Sequence, residues 1–164
     1  GWPDGAAMGA SLDGWRSGGQ ELAADFNQVI DCSGRHELAT AMPVYAPDGP
    51  GGSGAVMFAA CSKADGKGWD DVIAAHTKMG KMMRDKGGKP SSSWMFFPGL
   101  GSGDYDFDYW QVITFNSYAD FGATSEAYIN GGGYEESMKT MAGVTECGGG
   151  VMFDATVVRN VSGN

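Results

Sequence analysis

Basic residues are scarce in this chain of 164 residues, with 11 lysines and arginines against 20 aspartates and glutamates and a net charge of −9. So acidic a surface repels phosphate backbones and anionic lipid, which argues against nucleic acid and the membrane surface as partners. Seven of the 11 basic residues fall between Lys63 and Lys89, where they read as the solvated flank of one helix. Long apolar runs are also lacking: none approaches the roughly 18 residues needed to span a bilayer, and the N-terminus carries no signal-peptide pattern. A soluble chain is the resulting expectation, with its compartment left open and the cytoplasm favoured. Histidine occurs only twice, and three cysteines form neither a CxxC nor a zinc-ligand spacing, so no metal site is expected. GxSxG, HExxH and a Cys and His pair in catalytic context are absent, which removes the usual hydrolase and metalloprotease signatures. Nothing that remains specifies a cofactor.

What the chain has in excess is glycine, 28 residues, roughly twice the usual share. Aromatic residues make up 12%. It also carries a weak internal repeat. Gly9-Ala10-Ser11, Trp15 and Gly18-Gly19 recur at constant offset as Gly122-Ala123-Thr124, Tyr128 and Gly131-Gly132; after a two-residue insertion, Glu21, Phe26, Val29, Asp31 and Cys32 recur as Glu136, Met141, Val144, Glu146 and Cys147. Such a repeat dictates how a chain divides into units. Here it makes the chain start in the middle of one, either because an upstream half was lost or because one and a half units are used; Gly1 reads as a tag remnant. Cys32 and Cys147 hold matching positions and a pseudo-two-fold would bring them together, but three free, mostly buried thiols are the expectation.

The breaker-rich segment from Asp48 to Gly54 divides the chain into a partial unit, residues 1–49, and a complete one, residues 50–164. After it comes an apolar strand from Ala55 to Cys61, then a helix over Trp69 to Lys86. On that helix Trp69, Val72, Ile73, His76, Met79, Gly80 and Met83 share one stripe. Two strands, Ser92 to Phe97 and Phe107 to Phe115, are expected to form a hairpin. A helical stretch from Ser117 to Ala142, interrupted at Asn130 to Gly133, and a last strand from Val151 to Val158 complete the order. The partial unit reads as the second helix and last strand of a preceding copy.

Strand, helix, strand, strand, helix, strand is the βαββαβ order of an α+β, ferredoxin-like unit with an antiparallel sheet. Both faces of its hairpin are apolar: Trp94 and Phe96 alternate with Met95 and Phe97, and Tyr109, Ile113 and Phe115 alternate with Trp110 and Val112. Two helices cover one face; the other needs cover from elsewhere. This order, the partial αβ copy and the two-sided strands resemble the dimeric α+β barrel superfamily, which includes stress-responsive barrel proteins and relatives of the antibiotic-biosynthesis monooxygenases. The resemblance implies pairing of two such units around an interior that in relatives often holds a small apolar molecule or haem. It also implies self-association, with a homodimer expected, since the first copy is incomplete.

His76 is the leading catalytic candidate, an imidazole on an apolar helix stripe, set against the plainer reading of a half-buried histidine bonded to backbone. Tyr109 is the second. Trp94, Phe96, Gln111 and Phe115 are candidate ligand-binding residues, because an apolar cavity needs aromatic walls and a few polar groups to orient its occupant. Asp154, inside the last strand, is either a further polar group or a surface carboxylate, and His36 is expected to be exposed. Asp104, Asp106 and Asp108 alternate before a strand but lack the glycine and distal glutamate of a calcium loop. Gly99 to Gly103 precede a strand, whereas a phosphate loop needs a following helix. The Asn160-Val161-Ser162 sequon matters only in a secreted eukaryotic protein.

Three functions follow. The first is a module that binds a small apolar or aromatic molecule in or near the barrel. The second is a cofactor-free monooxygenase or haem-binding oxidoreductase, and the third a structural oligomerisation module without ligand. Whether the chain is an enzyme stays open at this level.

Overall fold

A computed structural model describes residues 1–30, 37–46 and 52–157. His36, Cys32 and the sequon lie outside the described residues. The chain divides into two compact units, Gly1–His36 and Glu37–Asn164.

In the first unit, α1 (Gly5–Gly18) starts at Asp4, whose Oδ1 accepts from the Ala7 N–H at 2.8 Å. The Gly19 N–H donates to Trp15 O at 2.7 Å, and α2 (Gln20–Phe26) follows at once. One expected helix is thus two. No residue of α1 is buried, and Leu12, Trp15, Leu22 and Phe26 stay 44–51% exposed.

The second unit is an α+β fold built on one antiparallel, unclosed sheet. Its strands are β1 (Ala39–Tyr45), β2 (Gly54–Lys63), β3 (Ser92–Pro98), β4 (Tyr109–Phe115), β5 (Thr145–Cys147) and β6 (Val151–Ala155). They run β1-β3-β4-β2, and both β5 and β6 pair with the far edge of β2. The compact units divide after His36, and β1 is hydrogen-bonded along β3 from Ala39↔Pro98 to Tyr45↔Ser93.

Three helices belong to this unit: α3 (Trp69–Asp85), α4 (Tyr118–Ile129) and α5 (Gly133–Met141). At the start of α3, Asp71 Oδ2 accepts from the Gly68 N–H at 3.0 Å, with Asp70 and Asp71 near the positive end of the helix dipole. Its stripe sinks Val72, Ala75, His76 and Met83. Trp69 meets Phe97 and Tyr109 edge-on at 4.8 and 5.8 Å. Between α4 and α5 the chain turns through Gly132 at φ 73°, a left-handed conformation that favours glycine. A Cβ on Gly131 would lie 2.6 Å from Ala127 O, so the turn closes only without one.

Strand alternation sorts the side chains. Toward the helices point Met57, Ala59 and Cys61 of β2, Ser93, Met95 and Phe97 of β3, and Tyr109, Gln111, Ile113 and Phe115 of β4. The central cluster is Ala59, Cys61, Val72, Met95 and Tyr109. The opposite face carries Phe58, Phe96 and Trp110, with Phe153 from β6. Phe58 meets Phe96, Trp110 and Phe153 edge-on at 6.4, 6.4 and 5.9 Å.

The expectation of three free thiols is overturned, since Cys61 and Cys147 form a disulfide. The two residues sit directly opposite each other in the β2/β5 ladder. A three-residue strand gave too short a pattern to be expected, yet it is what brings the sulfurs together. No helix among the described residues is long and apolar enough to cross a membrane.

Candidate ligand cavity

A cavity of about 860 Å³ lies between the sheet and helices α3, α4 and α5. Met79 and Met83 of α3, Phe121 and Tyr128 of α4, and Met138 and Met141 of α5 supply one wall; Met57, Ile113 and Phe115 supply the sheet side. Such a mix of flexible thioethers and aromatic rings makes an adaptable, mostly apolar lining. Gly148, Gly149 and Gly150, between β5 and β6, line the cavity with bare backbone, and Met57 lies against Gly150.

Four polar side chains run through the sheet side as a single chain. Thr145 Oγ1 lies 2.9 Å from Ser62 O, Tyr109 OH 2.7 Å from Thr145 Oγ1, His76 Nε2 2.6 Å from Tyr109 OH, and Gln111 Nε2 3.0 Å from His76 Nδ1. The backbone carbonyl at one end can only accept, and with the Thr145 proton on it the order of the others follows. Thr145 donates to Ser62, so it accepts from Tyr109; Tyr109 therefore accepts from the His76 Nε2–H; His76 Nδ1 is then bare and accepts from the Gln111 amide.

This arrangement requires a neutral imidazole, and burial does favour one by lowering His76 to about 4. Burial also raises the Tyr109 phenol to about 12, with the Asp108 carboxylate pushing the same way. Neither group is a ready proton carrier near neutral pH. His76 does not fit as a haem ligand either, because both ring nitrogens are engaged within the protein.

The sequence candidates divide by face. His76, Gln111 and Phe115 line the cavity. Tyr109 is fully buried behind them, reaching the site through His76. Trp94 and Phe96 lie on the opposite face of the sheet, where the Trp94 indole donates to Ser92 Oγ at 2.9 Å. Asp154 is exposed and accepts from Tyr118 OH at 2.7 Å, so it is a surface carboxylate. Asp108 Oδ2 accepts from the Lys63 N–H at 2.7 Å, and no group of three or more potential metal ligands occurs among the described residues.

Two members escaped the sequence reading. Thr145 terminates the polar chain, and Cys147 lines the cavity as half of the disulfide. The alternation Thr145-Glu146-Cys147, framed by Gly143 and Gly148, was the available signal.

No protein-family model matches the chain, and no curated protein is similar to it in sequence.

Proposed function

We propose that this protein binds a small apolar or aromatic molecule on the helix-covered face of a ferredoxin-like unit. The observation that carries the reading is the cavity of about 860 Å³, walled by methionines and aromatic rings, with Gln111 and His76 at its polar end. That volume lies within the range of small-molecule pockets. An uncharged polar chain that holds its own protons in place suits orientation of a ligand more than acid–base turnover, so binding is favoured over the oxidoreductase reading.

The strand sequence from β6 through β2 and β4 to β3, with α3 and the α4/α5 pair on one side, supports the ferredoxin-like reading. The aromatic face opposite the helices supports self-association, as a homodimer of the α+β barrel kind. Exposed apolar surface of this type is what a second copy would cover. The Cys61–Cys147 bridge fits an oxidising compartment better than the cytoplasm expected from composition.

Native mass spectrometry of the purified chain tests both parts. A non-covalent mass increment that disappears on denaturation, on a species of twice the chain mass, is the expected result. A bare chain that also fails to bind apolar aromatic probes saturably would defeat the binding reading; a strictly monomeric species would defeat the dimer.

A further inference from the structure

The proton order of the polar chain determines which way the Gln111 carboxamide faces. With Nε2 committed to His76 Nδ1, Oε1 is turned toward Cys147 Sγ, 4.0 Å away. That sulfur belongs to the disulfide and carries no hydrogen. Gln111 Oε1 therefore accepts a hydrogen bond from nothing among the described residues. Both Gln111 and Cys147 line the cavity, so this bare acceptor stands where an occupant would lie.

Rotating the amide relieves it only at the loss of the Thr145 bond to Ser62 O. Presenting Oε1 to His76 would require a proton on Nδ1, leaving Nε2 as the acceptor for the single Tyr109 proton. Tyr109 and Thr145, whose own proton is on Ser62 O, would then face each other at 2.7 Å with none between them. The Ser62 carbonyl thus fixes the orientation of an amide at the other end of the chain.

Resting on the binding reading above, we propose that the occupant is a neutral apolar molecule carrying a hydroxyl, phenol or alcohol, that donates to Gln111 Oε1. A site with a committed acceptor discriminates against an analogue lacking the donor, because the acceptor is then left dry and unpaired. A carboxylate presents only acceptors, and no Lys or Arg stands among the cavity's lining residues to hold it. A ketone or ether likewise brings no donor to Gln111 Oε1.

The test is calorimetric titration of the full chain with naphthol, its methyl ether and naphthoate, alongside phenol and anisole as a smaller pair. The expected result is that each hydroxyl compound binds at least about tenfold tighter than its ether, with naphthoate weakest. In Gln111→Met the hydroxyl advantage disappears while the ethers keep their affinity. Equal binding of naphthol and its ether, or a preference for naphthoate, would overturn the proposal and leave the cavity a binding site of another specificity. Binding by none of the five would remove the binding reading and the proposal together. Should Gln111→Met fail to fold, the hydroxyl and ether pairs on the unaltered chain decide the matter alone.

Discussion

The two faces of the sheet both carry apolar residues and are differently finished. On the helix side a polar chain from Gln111 to Ser62 threads the apolar residues, and a disulfide ties β5 to β2 beside it. On the other side, Phe58, Phe96, Trp110 and Phe153 meet ring edge to ring face, with no comparable polar chain among them. Directional bonds single out one geometry. Ring edges and faces tolerate many, which suits a broad contact whose strength comes from area.

The sharpest way to break the contrast is to remove its covalent part. Cys147→Ala should cost roughly 2–5 kcal/mol, read as a lower urea midpoint, because the bridge closes a sequence separation of 86 residues. Reductant should lower the unaltered protein to the same level and leave the variant where it is. If reductant has no effect on the unaltered protein, the bridge does not stabilise it.

Acid should loosen the covered face through His76. Its imidazole titrates near 4 in the fold and near 6.5 when unfolded, so the unfolded chain binds the extra proton. The contribution is whole above the unfolded value and is lost as pH falls toward the folded one, roughly 3 kcal/mol in all. Urea midpoints measured from neutral pH down to about 4 should show this slope, and His76→Leu should flatten it. A slope unchanged in His76→Leu assigns the loss to carboxylates instead.

A smaller loss is expected from Tyr109→Phe, about 1–3 kcal/mol, because the ring still packs on Trp69 and Phe97 while the His76 Nε2–H loses its acceptor. A matching Thr145→Val change should be less than additive with it, since the two act in one chain. Full additivity in the double variant would show that they act separately.

On the bare face the smallest effect is expected. Phe153 is 52% exposed and meets only Phe58 edge-on among the ring contacts, so Phe153→Ser should change monomer stability by about 0.5–1.5 kcal/mol. If a second copy covers this face, sedimentation should show the variant shifted toward monomer. An unaltered dimer would place the interface elsewhere.

Much of this contrast was legible before any coordinates. Three- and four-residue spacing placed His76 on the buried stripe of α3, and alternation put Tyr109 and Gln111 on one face and Trp110 on the other. What alternation cannot say is which face the helices cover, so Trp94 and Phe96 were grouped with Gln111 and Phe115 although they lie on opposite faces. Strand β5 was missed because three residues carry too little pattern, and with it went Thr145 and the Cys61 pairing. The repeat drew attention to Cys32 as the partner of Cys147, whereas ladder register, a property of space rather than of sequence spacing, selected Cys61. At the N-terminus the sequence suggests a single helix, which Gly18 and Gly19 divide into two.

The bare backbone at Gly150 has one more consequence. A methyl group there would stand 2.6 Å from Met57 Sδ, and the open room beside that thioether is the cavity itself. Alanine at this loop position would crowd Met57 toward the cavity without altering Gln111 or His76. On the binding proposed above, the room in the cavity and the hydroxyl acceptor rest on separate residues, Gly150 and Gln111, so a single substitution can change the one and leave the other intact.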